Sequence, residues 1–265
     1  MIKVALNGIC GKMGKVLSEL IASKEGMQVA YGIDPACGAV AADGTEGAAA
    51  SSVINGIKVY SKPADVPQEA AADVMIDFSH FSAVPGIIDF CISRNMPVVI
   101  CTTGLKDDVK AHMNKAAESV PVFYSANMSV GVSLLKYLAR KAAAFLGDDF
   151  DVEIVEMHHN QKLDAPSGTA LALADAINDE TGGKYEYVFD RHSRLQKRDK
   201  KELGISAVRG GNIVGDHEII FAGSSENVIL SHHAASRNVF ADGAVKAAAF
   251  IIGREPGLYD MEDMF

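Results

Sequence analysis

Apolar residues recur along this chain with two alternating periods. Residues 2–6 are an apolar run of strand length. After a glycine-rich segment, Met13, Val16, Leu17, Leu20 and Ile21 recur on one helical face, and residues 28–33 return to a strand pattern that ends at Asp34. Further strands are predicted over 57–60, 73–78, 97–101 and 120–124, with helices over 83–94 and 106–119. Strands alternating with helices predict a parallel, doubly wound α/β sheet of the Rossmann type. Residues 35–52 are rich in Ala and Gly, lack a clear period and predict a loop with at most one weak helix.

The second half changes rhythm. Val130, Leu134, Leu138, Ala142 and Phe145 mark a long helix. A β-prone run follows over 151–156, and helical spacing begins at Ser167 and covers 169–178. Residues 205–208, 213–221 and 227–230 predict strands, with turns at Gly210-Gly211 and Gly223-Ser224. Four strands with one or two helices make an open α+β sheet that needs cover on one face. Packing against another subunit would supply it. The charged stretch 184–201 predicts a solvated surface. An apolar helix over 241–252 closes the chain, before a short acidic tail. The expected domains are 1–127, joined by 238–265, and 128–237.

Composition narrows the class. The 265 residues are 48% hydrophobic and 22% charged, ordinary values for a folded protein with a sizeable core. A net charge of −9 argues against nucleic acid as a partner. No leader or long apolar run is visible, which predicts a cytoplasmic protein without a membrane partner. Cys10, Cys37, Cys91 and Cys101 form no CxxC pair and no metal-ligand spacing, a pattern suited to a reducing compartment. All four lie in the first half. That counts against an acylating semialdehyde dehydrogenase, which would need a nucleophilic cysteine in the second. His158-His159 and His232-His233 invite a metal reading, but no third ligand stands at useful spacing.

Two stretches carry candidate chemistry. Asn7-Gly-Ile-Cys-Gly-Lys-Met-Gly14 joins the first strand to the first helix. Glycines there permit a tight turn and let a pyrophosphate approach a helix N-terminus. The spacing Gly8, Gly11, Gly14 departs from GxGxxG and is weak by itself, but its place inside a βαβ unit strengthens it. Asp34 would accept hydrogen bonds from a ribose, or else merely turns the chain before Pro35. A carboxylate there disfavours a 2′-phosphate and leans toward NADH over NADPH, although Lys12 or Lys15 would offset it. The second stretch is Glu153-Ile-Val-Glu-Met-His-His-Asn-Gln-Lys-Leu-Asp-Ala-Pro-Ser-Gly-Thr-Ala-Leu171. It gathers two histidines and a lysine ahead of a helix start, whose unpaired N–H groups favour an anion. Ser167 or Asp164 is the candidate N-cap, with Pro166 in the first turn. Taken singly these residues describe a capped loop; together they describe an anion site.

These segments together resemble the 4-hydroxy-tetrahydrodipicolinate reductase (dihydrodipicolinate reductase) family of the diaminopimelate route to lysine. The resemblance runs over essentially the whole chain. It is carried by Gly8-Ile-Cys-Gly-Lys-Met-Gly14, Ile76-Asp-Phe-Ser79, Cys101-Thr-Thr-Gly104, Ala126-Asn-Met-Ser-Val-Gly-Val132, the specific HHxxKxDAPSGTA stretch from His158 to Ala170, and Arg209-Gly-Gly-Asn-Ile-Val-Gly-Asp-His217. It implies hydride transfer from a nicotinamide to substrate C4 with loss of water. His158 matches the family's proton donor/acceptor and Lys162 its proton donor. His159, Gly168 and Thr169 match positions that hold the carboxylates of a small dicarboxylate substrate. Gly8, Ile9, Cys10, Gly11, Lys12, Met13, Asp34, Cys101, Thr102, Thr103, Ser125, Ala126, Asn127 and Met128 match the dinucleotide site. The family implies a homotetramer built through the second-domain sheets. Cys101 and Met128 depart from the usual Gly and Phe, at positions that use backbone. Asp34-Pro35 lacks the acid-arginine pair of some members.

Overall fold

The computed structural model describes residues 1–36 and 51–265. In chain order the elements are β1 (Ile2–Asn7), α1 (Lys12–Ser23), β2 (Met27–Ile33), β3 (Ser51–Ile54), β4 (Ile57–Tyr60), β5 (Val74–Asp77), α2 (Val84–Ser93), β6 (Val98–Ile100), α3 (Asp107–Ala116), β7 (Pro121–Tyr124), α4 (Val130–Leu146), β8 (Asp151–His158), α5 (Gly168–Glu180), β9 (Glu186–Val188), β10 (Glu202–Arg209), β11 (Asp216–Ala222), β12 (Asn227–His233), α6 (Asn238–Ile251) and β13 (Gly257–Tyr259). Most of the loop expected over 35–52 lies outside the described residues. Its last two, Ser51 and Ser52, belong instead to β3, which pairs antiparallel with β4.

Contacts divide the chain into two compact units, Met1–Met128 with Phe240–Phe265, and Ser129–Val239. The first unit holds an eight-stranded sheet in the order β13-β7-β6-β5-β1-β2-β4-β3. Every pairing from β13 to β4 is parallel, so the carboxyl ends of these strands share one edge. The central strands are continuous apolar runs because helices cover both faces of such a sheet. Val4, Val74, Met75, Ile76, Val98 and Val99 are fully buried. The tail expected to be merely acidic supplies edge strand β13 and buries Met261. Short apolar stretches escape notice when charged residues surround them.

Helix α6 is set tightly into this unit. A Cβ on Gly243 would overlap the carbonyl oxygen of Met128, a backbone atom with no rotamer to escape into. Gly243→Ala is expected to cost about 1–3 kcal/mol, as overpacking of a filled core does. The check is a lowered thermal midpoint beside that of Gly86→Ala, whose Cβ would meet nothing within 4 Å.

The second unit holds a mixed five-stranded sheet, β12-β11-β8-β10-β9. Strand β8 alternates strictly, with Val152, Ile154, Glu156 and His158 on the buried face. Helices α4 and α5 contribute Leu135, Ala139, Ala143, Leu173, Ala174 and Ile177 to the core against that face. One expectation is corrected here and another refined. The stripe that marked α4 is not its buried one. Leu134, Leu138 and Phe145 are exposed, while Val132, Leu135, Ala139 and Ala143 face inward. The helix is apolar on more than one side, and spacing cannot choose among the sides. The charged stretch 184–201 is mostly exposed, as expected, but it is not loose. It contains β9, and its arginines are anchored to the sheet. Arg191 grips Glu153 through both Nη atoms (3.0 and 2.8 Å), Arg194 pairs with Glu202, and Arg198 bonds Glu153 (2.9 Å) and Asp151 (3.0 Å).

Candidate functional site

In the first unit the glycine turn follows β1 directly. Gly8 takes φ +79°, and a Cβ there would overlap Phe78 O. A Cβ on Gly14 would stand 2.5 Å from Ile9 Cα, so the turn and α1 are packed backbone to backbone. Gly11 is the N-cap of α1 and offers no capping side chain, which leaves the helix N-terminus open to an external acceptor. Asp34 lies at the end of β2 and is nearly buried. Its Oδ2 accepts the Cys10 N–H at 2.9 Å and its Oδ1 accepts the Ala36 N–H at 2.9 Å. These bonds bear on the turn reading of Asp34: it shapes the turn around Pro35 and ties that turn to Cys10.

The strand ends beside it are cross-linked by a residue whose role the sequence did not disclose. Asp77, fully buried at the end of β5, accepts hydrogen bonds from Asn7 Nδ2, Ser79 Oγ and Thr102 Oγ1, each at 2.6 Å. Burial pushes its carboxyl above the ordinary range against the pull of these donors. Thr102 Oγ1 accepts the Ser79 N–H in turn (3.0 Å). Asp77 thus holds the ends of β1, β5 and β6 in register and fixes Thr102. Cys101 is buried beside it and Thr103 is exposed. After β7, Ser125 Oγ donates to Asn127 O (2.8 Å), while Ala126 is exposed and Met128 buried. The first-unit candidate residues therefore share the carboxyl edge of one parallel sheet, the edge where open α/β sheets bind ligands. Gly8 and Gly14 let the turn and α1 pack backbone to backbone, which brings the start of α1 to this edge; a dinucleotide pyrophosphate would lie there.

In the second unit β8 runs two residues past its expected end and delivers His158 to the edge of the core. Polar residues at the buried positions hid this extension from the apolar pattern. Glu156 is inaccessible to solvent, and three N–H donors and an imidazole nitrogen converge on its carboxylate. Arg209 donates from Nη2 to Oε1 (2.7 Å) and from Nη1 to Oε2 (2.8 Å), the Ser167 N–H reaches Oε1 (3.0 Å), and His158 Nδ1 lies 2.6 Å from Oε2. Burial works to raise the acid, but the bonds from Arg209, His158 and Ser167 outweigh it and hold Glu156 below the usual carboxylate range. Arg209 also donates to Asp164 O (2.7 Å) and so holds the loop over residues 159–166.

Ser167, not Asp164, caps α5: its Oγ accepts the Ala170 N–H at 3.1 Å. Pro166 precedes the cap rather than entering the first turn. Gly168 and Thr169 then head the helix. Gly168 is exposed, with nothing within 4 Å of where a Cβ would stand. Lys162 Nζ pairs with Asp164 Oδ1 at 2.9 Å, and that bond draws the Asp164 carboxyl down. His159 Nε2 stands 3.4 Å from Arg237 Nη2. The structure thus gathers His158, His159, Lys162, Gly168 and Thr169 around one loop and one helix start. It adds Glu156, Arg209, Ser167 and His217 as their supports. Arg209 and His217 bound a segment singled out by the sequence, but their contacts with β8 and α5 were not readable from it.

His217 is buried, with Nε2 3.1 Å from Ser167 Oγ and its ring 5.3 Å from that of His158. Burial first, then the neighbouring His158, lowers it to about 4 from 6.5. Between those values the unfolded chain binds a proton that the folded ring refuses. The stabilisation is fully present above pH 6.5 and is lost as pH falls toward 4, by about 3 kcal/mol in all. His217→Gln is expected to flatten the fall of the urea midpoint between pH 7 and pH 4.5.

A parallel sheet with a glycine turn and a terminal acid, in one chain with a histidine–lysine cluster beside a helix start, is the layout of a Rossmann-type oxidoreductase. Comparison with known proteins is specific. Residues 2–128 match dihydrodipicolinate reductase, N-terminus, and residues 131–265 match dihydrodipicolinate reductase, C-terminus. The chain belongs to the dihydrodipicolinate reductase family, whose members are pyridine-nucleotide-dependent reductases. It is 45% identical over 264 residues to the 4-hydroxy-tetrahydrodipicolinate reductase of Caldanaerobacter subterraneus, covering 100% of this chain and 98% of that one. It is 41% identical to the enzyme of that name from Clostridium botulinum, with coverage of 100% and 98%. Among solved structures, a dipicolinate-bound dihydrodipicolinate reductase from a Paenisporosarcina species superposes with a TM-score of 0.82 at 25% identity, over 100% of both chains. Scyllo-inositol dehydrogenase from Lactobacillus casei, solved with NAD(H), shares the fold alone, with a TM-score of 0.60 at 14% identity over 100% of this chain and 93% of that one.

Proposed function

We propose that this protein reduces 4-hydroxy-tetrahydrodipicolinate to tetrahydrodipicolinate, with release of water, in the diaminopimelate route to lysine. The observation that carries the reading is the loop from His158 to Thr169, which brings an imidazole and an ammonium up to the N-terminus of α5. A bound nicotinamide dinucleotide supplies a hydride. The residues that would hold it are Gly8 to Met13, Asp34, Cys101 to Thr103 and Ser125 to Met128. Every other contribution is made by the chain's own groups. His159 and the amides of Gly168 and Thr169 bind substrate carboxylates, since an anion at a helix start meets both N–H donors and the dipole. Lys162 and His158 manage the one proton that must accompany a hydride added to a conjugated imine. Asp34 favours NADH, because a 2′-phosphate would be brought toward a carboxylate.

The assay that tests this supplies freshly made synthase product with NADH or NADPH and follows the loss of absorbance for each. Turnover with either supports the reaction, and a higher kcat/KM with NADH supports the role of Asp34. No turnover with either would refute the assignment. We further propose assembly as a cytoplasmic homotetramer through the uncovered faces of the five-stranded sheets. Val208 and Ile229 lie exposed on that face. The solution mass is then near four times 28.1 kDa. No helix among the described residues is long and apolar enough to cross a membrane.

A further inference from the structure

We infer that Glu156 is the positioning residue of the site, fixing the proton of His158 on Nδ1 so that Nε2 is the nitrogen that works on the substrate. This rests on the reading of His158 as the proton donor/acceptor. The argument begins with donors and acceptors. The Arg209 guanidinium and the Ser167 N–H can only donate, and a carboxylate held below its usual range only accepts. The 2.6 Å contact between His158 Nδ1 and Glu156 Oε2 therefore requires the hydrogen on Nδ1. Neutral imidazole then keeps its lone pair on Nε2.

The surroundings agree. The residue beside Nε2 is Gly215, where a Cβ would stand 3.1 Å from that nitrogen, so the absence of a side chain there leaves room next to it. The groups facing His158 are Glu156 on its own strand, Arg209 of β10 across from it, and His217 of β11 in edge-to-face contact. Of these only Glu156 touches the ring through a hydrogen bond. The same carboxylate binds the Ser167 amide, one residue before Gly168. One side chain thus sets both the orientation of the imidazole and the start of the helix that offers its amides. A buried acid and arginine serving stability alone would not need the histidine as a further partner.

The substitution Glu156→Gln makes a sharp test. Its Oε1 site faces two obligate donors, Arg209 and the Ser167 N–H, whereas its Oε2 site faces Arg209 and a ring nitrogen that can switch. The amide NH2 therefore turns toward His158, Nδ1 becomes the acceptor, and the proton moves to Nε2. Nitrogen-15 spectra of the imidazoles, taken at alkaline pH with His158 identified from the spectrum of His158→Gln, read this directly. The expected result is a protonated Nδ1 in the wild type and in Glu156→Asp, and a protonated Nε2 in Glu156→Gln. In the coupled assay kcat falls about 10²-fold or more in Glu156→Gln while KM stays within about threefold, and Glu156→Asp recovers part of the loss.

If Glu156→Gln does not fold, the double variant Glu156→Gln/Arg209→Met, which removes the unmatched guanidinium, carries the same test. A wild-type ring protonated on Nε2 alone, or an Nδ1 proton unmoved by the glutamine, would overturn the inference. Absence of turnover in the wild type would instead count against the functional reading. The nitrogen spectra would still decide what Glu156 does.

Discussion

Replacing His158 and Lys162 together by alanine is expected to abolish turnover and leave nucleotide binding in place. On the proposed mechanism each group manages a proton, and loss of such a group costs about 10²–10⁴ in rate. The double loss should be no more than the larger single loss compounded in part, because groups serving one proton transfer do not add. Nucleotide binding should survive because its candidate residues belong to Met1–Met128, while His158 and Lys162 belong to Ser129–Val239. The chain contains no Trp, so the fluorescence of the reduced nucleotide itself reports binding without interference. The decisive comparison is kcat against the nucleotide Kd for each single variant and the pair. A variant that loses the nucleotide yet keeps turning over would show that the two roles have been placed in the wrong units.

Arg209→Ala should be the most destabilising change among the site's supports. Glu156 has no solvent exposure, and its ionised form depends on the two Arg209 bonds. Removing the guanidinium leaves a buried carboxylate without its counter-ion, a change on the order of 3 kcal/mol or more. The variant should show a lowered denaturant midpoint, and its gap from the wild type at the same pH should narrow as the medium is acidified enough to neutralise Glu156. The contrast is Arg191→Ala. Arg191 also grips a carboxylate with both Nη atoms, but from the surface, and its loss should cost about 1 kcal/mol or less. A double change of Glu156 and Arg209 to apolar residues of similar volume should return much of the stability while leaving the enzyme impaired. Equal effects for Arg191 and Arg209 would show that burial does not set the strength of these pairs.

Much of the first unit was legible because its physics is local. Parallel strands buried on both faces must be apolar throughout, and the helices between them carry a periodic apolar side. The runs ending at Asn7, Ile33, Asp77, Ile100 and Tyr124 announced themselves in this way. Strands β9 and β13 did not, since three residues within a charged stretch have no pattern to show. For α4 the helix was clear and its buried side was not, because Leu134 and Leu135 are equally apolar and only the packing of α5 distinguishes them.

The chemistry divides along the same line. By itself the sequence determined which groups stand near each other along the backbone: the glycines of the first turn, the two histidines, Lys162, and the helix start at Ser167. Those are relations across a few residues, governed by turn geometry, capping and propensity. Only the tertiary structure decided how they are held. Glu156 meets Arg209 from 53 positions away, Ser167 meets His217 from 50, and Asp77 joins Asn7 from 70. A buried charge needs a partner wherever the fold brings one. Desolvation, which makes that need strict, exists only once the sheet and helices have closed over it.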